Sequence, residues 1–294
     1  MIKQSLDFIR CPDDGNRVIQ NEAIVECVNC KRVFNVMSDN MVELLPKRPF
    51  EFKGSIGQKY LESYIRLLND KFEWNQSAHG WGDISKGSPG YKSFITKQIN
   101  DVEKYLGESV KGIFCDVSGG AGNNSLHFAK TAKLTVHCDL DVNSINGVYE
   151  KAKRANLKKI LFVRCDYLQL PFESNLFDSI ICFDSLERGY EHEVRLLNEM
   201  LRCLKPHGRF VVDFHSKLRV SCIPFLQNKI ENVLYDYAAL EKLMIKFDLT
   251  SYNISPFGYV PNSIVPHEKF YVFLDDLSRF LLPCVRWIVA GEKN

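Results

Sequence analysis

The stretch that most constrains the fold is residues 111–124, KGIFCDVSGGAGNN, where an apolar run ends in Asp116 and breaks into small residues before a helical pattern over 125–130. This reads as a strand, a tight turn and a helix start. Gly119, Gly120 and Gly122 carry no Cβ, so the backbone can bend sharply and let a ligand lie against the peptide plane, with helix N-terminal N–H groups aimed at an anion. In a dinucleotide fold such glycines receive a pyrophosphate, which a carboxylate at the strand tip repels. Asp116 occupies that tip. The ligand end beside it is therefore expected to be cationic, an amino group or a sulfonium, unless Asp116 only caps the turn or the helix.

One helix and one strand later, the apolar run 133–138 ends in Asp139, 23 residues after Asp116. An acid about 20 residues past a glycine turn, at the second strand tip, is placed to accept both ribose hydroxyls of an adenosine. The run 160–165 ends in Asp166 and the run 177–183 in Asp184, so four successive strand tips bring an acid to one sheet edge. Strands alternating with helices in this way imply an α/β parallel sheet wound on both faces.

This succession resembles the class I S-adenosylmethionine-dependent methyltransferases over about residues 112–214, and more weakly as far as Lys293. Residues 116–122, DVSGGAG, are similar to that family's first motif, D-x-G-x-G-x-G, with Ser118 in place of the first glycine. Asp139 matches the ribose-binding acid, and Asp166 with Tyr167 matches the pair beside the adenine. Residues 168–187, LQLPFESNLFDSIICFDSLE, match the run into the fourth strand. Residues 204–210, LKPHGRF, match the turn before the fifth, with His207-Gly208 where the family usually has two glycines. The resemblance implies a Rossmann-like, doubly wound sheet of seven strands with the last antiparallel, and transfer of a methyl group from S-adenosyl-L-methionine. It also implies a cofactor-binding set of Asp116, Ser118, Gly119, Gly120, Gly122, Asp139, Leu140, Asp166, Tyr167 and Phe183.

The N-terminal segment reads as a unit of its own. Residues 8–15 form a turn with Cys11, and residues 25–30 a second turn with Cys27 and Cys30, each followed by a short β-prone run (17–20 and 32–36). Two such knuckles are the pattern of a zinc ribbon. Asp14 stands where a second cysteine belongs, so the metal set is Cys11, Asp14, Cys27 and Cys30, or the unit is a degenerate ribbon held by its apolar residues. The expected division is a zinc-ribbon-like β domain over 1–46, linker and lid helices over 47–110, and the methyltransferase domain over 111–294. Through residue 60 there are nine basic and eight acidic residues, and the whole chain carries +2, so no basic field calls for nucleic acid or an anionic membrane. No apolar run approaches the roughly 18 residues of a membrane span, and residues 1–10 lack a signal peptide's apolar stretch. Seven of the ten cysteines lie singly, mostly in apolar strands or helices, and read as reduced thiols of a cytoplasmic protein.

The acceptor side is less constrained. Residues 58–69 and 91–106 have apolar positions at helical spacing, and the stretch between them, 72–82, is rich in aromatics and glycine. Trp74, His79 and Trp81, with Tyr259 in the loop 257–266, are the expected substrate pocket; packing of the ribbon against the main domain is the alternative for the first three. His192, in a helix over 191–204, and His215, just past a strand over 208–214, are the candidate general bases, with structural roles as the alternative. A small-molecule acceptor is expected, with O-, N- and C-methylation all open. The alternatives are a ribosomal or transfer RNA base read through the ribbon, and a binding or activator module that holds the cofactor without turnover.

Overall fold

The computed structural model describes residues 7–21, 24–52, 58, 60–62, 64–65, 68, 84–186, 188–217, 233–259, 267–278 and 284–294. Their strands are β1 (Val18–Asn21), β2 (Ile24–Cys27), β3 (Val33–Ser38), β4 (Met41–Leu44), β5 (Ile113–Val117), β6 (Leu134–Asp139), β7 (Ile160–Cys165), β8 (Phe177–Cys182), β9 (Leu204–His215), β10 (Leu249–Phe257) and β11 (Arg286–Lys293). The α-helices over this range are α1 (Pro89–Leu106), α2 (Asn123–Phe128), α3 (Val142–Arg154), α4 (Tyr190–Cys203), α5 (Tyr237–Met244) and α6 (Glu268–Ser278).

The strands lie in the order β1-β2-β3-β4-β7-β6-β5-β8-β9-β11-β10. From β7 to β9 all neighbours are parallel, while β11 runs antiparallel between β9 and β10. Parallel strands covered on both faces read as unbroken buried runs, and all six residues of β7 are buried. Alternation sorts the side chains between the faces. Phe114, Ile181, Val211 and Ile288 pack with Phe94, Ile99 and Val102 of α1, whereas Cys115, Cys182, Val212 and Val289 share the opposite core with Leu196, Leu197 and Met200 of α4. This is the doubly wound sheet that the motif order implies. Ser88 begins α1 by accepting the N–H of Tyr91, and Pro89 follows as the first helical residue, where its missing N–H costs nothing.

Two features depart from the sequence reading. The ending of the ribbon is not a free tail: β4 pairs in parallel with β7 and adds an eighth strand to the seven expected. Val42 and Leu44 are fully buried there, and Glu43 pairs with Arg164 directly opposite at 2.7 Å. Helix α6 follows the loop expected over 257–266, at residues where the sequence reading places no element. Its buried positions include Tyr271 and Asp275, the latter paired with Lys97 of α1 at 2.7 Å, while Phe270, Phe273 and Leu277 are exposed. An apolar stripe facing outward and an aspartate facing inward invert the usual amphipathic signal.

Candidate functional site

The glycine turn follows β5 directly. Ser118 has φ 56°, a left-handed conformation that costs a residue with a Cβ roughly 1–2 kcal/mol, so serine here carries strain that the usual glycine avoids. A Cβ on Gly119 would come within 2.5 Å of the His137 ring, which makes glycine obligatory at that position. Beneath the turn, Asp116 accepts the Ser125 N–H at 3.0 Å and the Ser125 hydroxyl at 2.5 Å, and that hydroxyl lies 2.8 Å from Nδ1 of His137. Asp116 thus caps the first turn of α2, the alternative left open by its position. Burial pushes its pKa up to about 7 and that of His137 down to about 3. The Ser125 and His137 contributions could not be read from the motif, because neither residue belongs to it.

Asp139, the last residue of β6, faces the same turn. Its carboxylate accepts the Gly120 N–H at 2.8 Å and the Asp141 N–H at 2.9 Å, and burial raises its pKa to about 6. A Cβ on Gly120 would meet nothing within 4 Å, so the turn is open on the side where a ligand can lie. Each carboxylate oxygen keeps a second lone pair for a hydroxyl donor. Arg164 ties the neighbouring Leu140 into the sheet by donating to its carbonyl at 3.0 Å while pairing with Glu43. This arrangement fits an adenosine ribose held between the glycine turn and the second strand tip.

Asp166 begins the turn after β7 by accepting the Leu168 N–H at 2.9 Å, and its other oxygen accepts the Tyr60 hydroxyl at 2.7 Å. Tyr167 follows, with its hydroxyl 3.2 Å from Nε2 of His192. His192 does not suit a general base. It is fully buried against the rings of Phe52, Tyr60 and Tyr167, and burial holds its pKa down to about 3. It packs as a neutral ring against Tyr167. Phe183 lies just past β8 in the α1-side core.

The far side of the sheet edge carries a cluster absent from the motif reading. Arg286, first residue of β11, is paired with both Asp213 and Asp184, the latter at 2.5 Å. Asp213 also accepts the Asp184 N–H at 2.8 Å. His215 ends β9 with Nε2 3.8 Å from the Asp184 carboxylate. Strand β11 enters antiparallel, so its first residue falls at the tips of the parallel strands. Tyr259 donates its N–H to Asp275 at 2.5 Å, which fixes the start of the loop after β10 on α6. Trp74, His79, Trp81 and residues 260–266 lie outside the described residues.

In the ribbon the four predicted metal ligands converge, their donor atoms all within 4.8 Å of one another. The Cys11 and Cys30 sulfurs are 3.7 Å apart, and both Asp14 oxygens are 3.5 Å from the Cys27 sulfur. A zinc tetrahedron with Zn–S about 2.3 Å and Zn–O about 2.1 Å has edges of about 3.8 and 3.6 Å. The donor set fits zinc. The Asn29 side chain, at 3.0 Å, holds Asp14 ionised, well below the usual carboxylate range, and burial keeps the Cys11 thiol protonated unless a cation replaces the proton.

Comparison with known proteins bears on the same region. Residues 115–212 match the family model described as a methyltransferase domain. The ubiquinone/menaquinone biosynthesis C-methyltransferase UbiE of Chromobacterium violaceum is 32% identical over 155 residues, covering 52% of this chain and 59% of that protein. Its counterpart from Pseudomonas fluorescens is 29% identical over 158 residues, covering 52% and 57%. The chain thus spans somewhat over half the length of these relatives. Among solved structures, a Pyrococcus horikoshii protein aligns with a TM-score of 0.56 at 18% identity, over 76% of this chain and all of that one. A Thermotoga maritima S-adenosylmethionine-dependent methyltransferase, possibly a histamine N-methyltransferase, aligns with a TM-score of 0.52 at 13% identity, over 81% and 99%. The fold is theirs, and residues 115–212 match a methyltransferase domain.

Proposed function

We propose that the chain transfers a methyl group from S-adenosyl-L-methionine to a small-molecule acceptor. The observation that carries this reading is the open glycine turn joined to Asp139 through the Gly120 N–H, with Asp166 and Tyr167 one strand further on. In this reading Asp139 accepts the ribose hydroxyls, Asp166, Tyr167 and Leu140 bound the adenine side, and the segment from Ser118 to Gly122 with Phe183 bounds the methionine side. Asp116 acts beneath them, holding the turn and α2 in register.

The cofactor supplies a methyl group on a sulfonium, already activated toward in-line displacement, so holding donor and acceptor in line provides much of the rate. In this reading His215, whose Nε2 lies 3.8 Å from the Asp184 carboxylate, takes a proton where the acceptor must lose one. The relatives are named as C-methyltransferases of ubiquinone/menaquinone biosynthesis, which supports a small-molecule acceptor here. His215→Ala is expected to lower methyl transfer by about 10²-fold or more, within the usual range for a removed base, and Trp81→Ala to lower it through loss of a pocket wall, each leaving S-adenosylhomocysteine affinity within about threefold. Product formation is followed by mass gain in a metabolite extract. Salt is expected to leave acceptor affinity nearly unchanged. A steep loss of affinity between about 50 and 200 mM salt would instead mark an RNA acceptor, and cofactor binding without any product would mark a non-catalytic module.

We also propose that Cys11, Asp14, Cys27 and Cys30 hold one zinc ion in an N-terminal ribbon unit, with the catalytic domain beginning near residue 111. Elemental analysis of protein prepared without chelator is expected to find about one equivalent, and Cys27→Ser to release it. Because β4 is built into the main sheet, release should also lower the melting temperature of the whole chain. Metal-free protein with unchanged stability would mean a ribbon held by its apolar residues alone. None of the nine cysteines among the described residues is in a disulfide, which supports a reducing compartment such as the cytoplasm. Among the described residues no helix is long and apolar enough to cross a membrane.

A further inference from the structure

Four carboxylates at the strand tips are buried, and one is open to solvent. Asp116, Asp139, Asp166 and Asp213 are 2%, 7%, 1% and 2% exposed. Asp184 keeps 45% of its side chain exposed. The last pair in the ladder between β5 and β8 is Val117 with Cys182, so the chain leaves β8 toward Asp184 at the level where it leaves β5 into Ser118 and Gly119, the turn that in the proposed reading bounds the methionine side of the cofactor.

Asp184 is also held with unusual firmness for an exposed residue. Its φ is 56°, a left-handed conformation, fixed by the N–H bond to Asp213, and Arg286 grips its carboxylate from below. Backbone strain retained by surrounding bonds is a mark of a constrained functional position. Two carboxylates share the single guanidinium, and both Asp213 and Arg286 are almost wholly buried. One negative charge is left over, and Asp184 is where it reaches the open face.

We infer that Asp184, positioned by Arg286 and Asp213, is the residue by which the site tells methyl donor from demethylated product. The inference rests on the proposed cofactor. S-adenosylmethionine and S-adenosylhomocysteine are nearly the same shape and share the α-ammonium, the ribose and the adenine, but the sulfonium of the first carries a positive charge that the thioether of the second lacks. A net negative charge about one strand spacing away, in a partly solvated site, favours the sulfonium by roughly five- to tenfold. Methyl transfer removes the charge on sulfur. The attraction is therefore greatest before the reaction, so it strengthens donor binding relative to product binding without itself speeding the chemical step.

Calorimetry with both ligands tests this without any acceptor. Asp184→Asn keeps the side-chain size and the N–H bond to Asp213, and is expected to weaken S-adenosylmethionine binding about five- to tenfold, with S-adenosylhomocysteine within about twofold. In the wild-type protein, raising potassium chloride from about 50 to 500 mM is expected to narrow the ratio of the two affinities, because the open charge is screened. Equal weakening of both ligands would overturn the inference by placing Asp184 on the shared α-ammonium, and so would a ratio unmoved by both substitution and salt. Wild-type protein that binds neither ligand would instead refute the cofactor reading beneath it.

Discussion

Arg286→Met should lower the free energy of unfolding by about 3–5 kcal/mol, the range for removing one partner of a buried ion pair. Among the described residues Arg286 is the cation paired with Asp213, and its charge is held by both Asp184 and Asp213. Methionine fills much of the space but leaves the Asp213 carboxylate buried without its counter-charge. Asp184, half exposed, can turn to water. Most of the effect should therefore belong to Asp213, and adding Asp213→Asn to the Arg286→Met protein should recover a large part of it. Urea denaturation of the three proteins measures both steps. A loss under about 1 kcal/mol for Arg286→Met would mean that the cluster is hydrated in solution.

Asp116→Asn is expected to gain stability relative to the wild type as pH rises, by about 2–3 kcal/mol between pH 5 and 8. In the folded protein burial raises the Asp116 pKa from 3.8 to about 7. From about pH 4 to pH 7 the native state thus keeps a proton that the unfolded chain has already released, so its relative stability falls with rising pH and levels off above about 7. Asparagine does not titrate and can still accept from the Ser125 N–H and hydroxyl. Asp139, raised to about 6, adds a loss of the same sign, while His137 and His192, lowered to about 3, oppose it below about pH 6.5. The difference between variant and wild type isolates Asp116. A difference independent of pH would show that Asp116 is already ionised in the native protein.

The parts of this molecule that were legible in its sequence are those where one strand carries its own signal. Each parallel strand is a short apolar run ending in aspartate, and the glycine turn needs its special backbone whatever surrounds it. The residues that escaped act through partners distant in the chain. Arg286 lies 73 positions after Asp213, and only the antiparallel insertion of β11 beside β9 brings it to the parallel strand tips. Tyr60 reaches Asp166 across 106 positions, so nothing in the Asp166-Tyr167 motif announces it. His192 looked like a base because it follows the fourth strand tip, but a position in the chain does not reveal that Phe52, Tyr60 and Tyr167 enclose it. Likewise β4, four residues long, gives no sign of whether it ends the ribbon or joins the sheet; its pairing with β7 decides that, with Glu43 set against Arg164.

The central claim is that this sheet edge holds S-adenosylmethionine through Asp139, and calorimetric titration of S-adenosylhomocysteine into wild type and Asp139→Ala tests it most directly. The account predicts saturable binding of one equivalent to the wild type, and a loss of about 1.5–3 kcal/mol, roughly ten- to a hundredfold in Kd, for a variant whose circular dichroism shows it folded. Unchanged affinity in the folded variant would remove Asp139 from the site, and tight binding of NADH in place of S-adenosylhomocysteine would contradict the claim altogether.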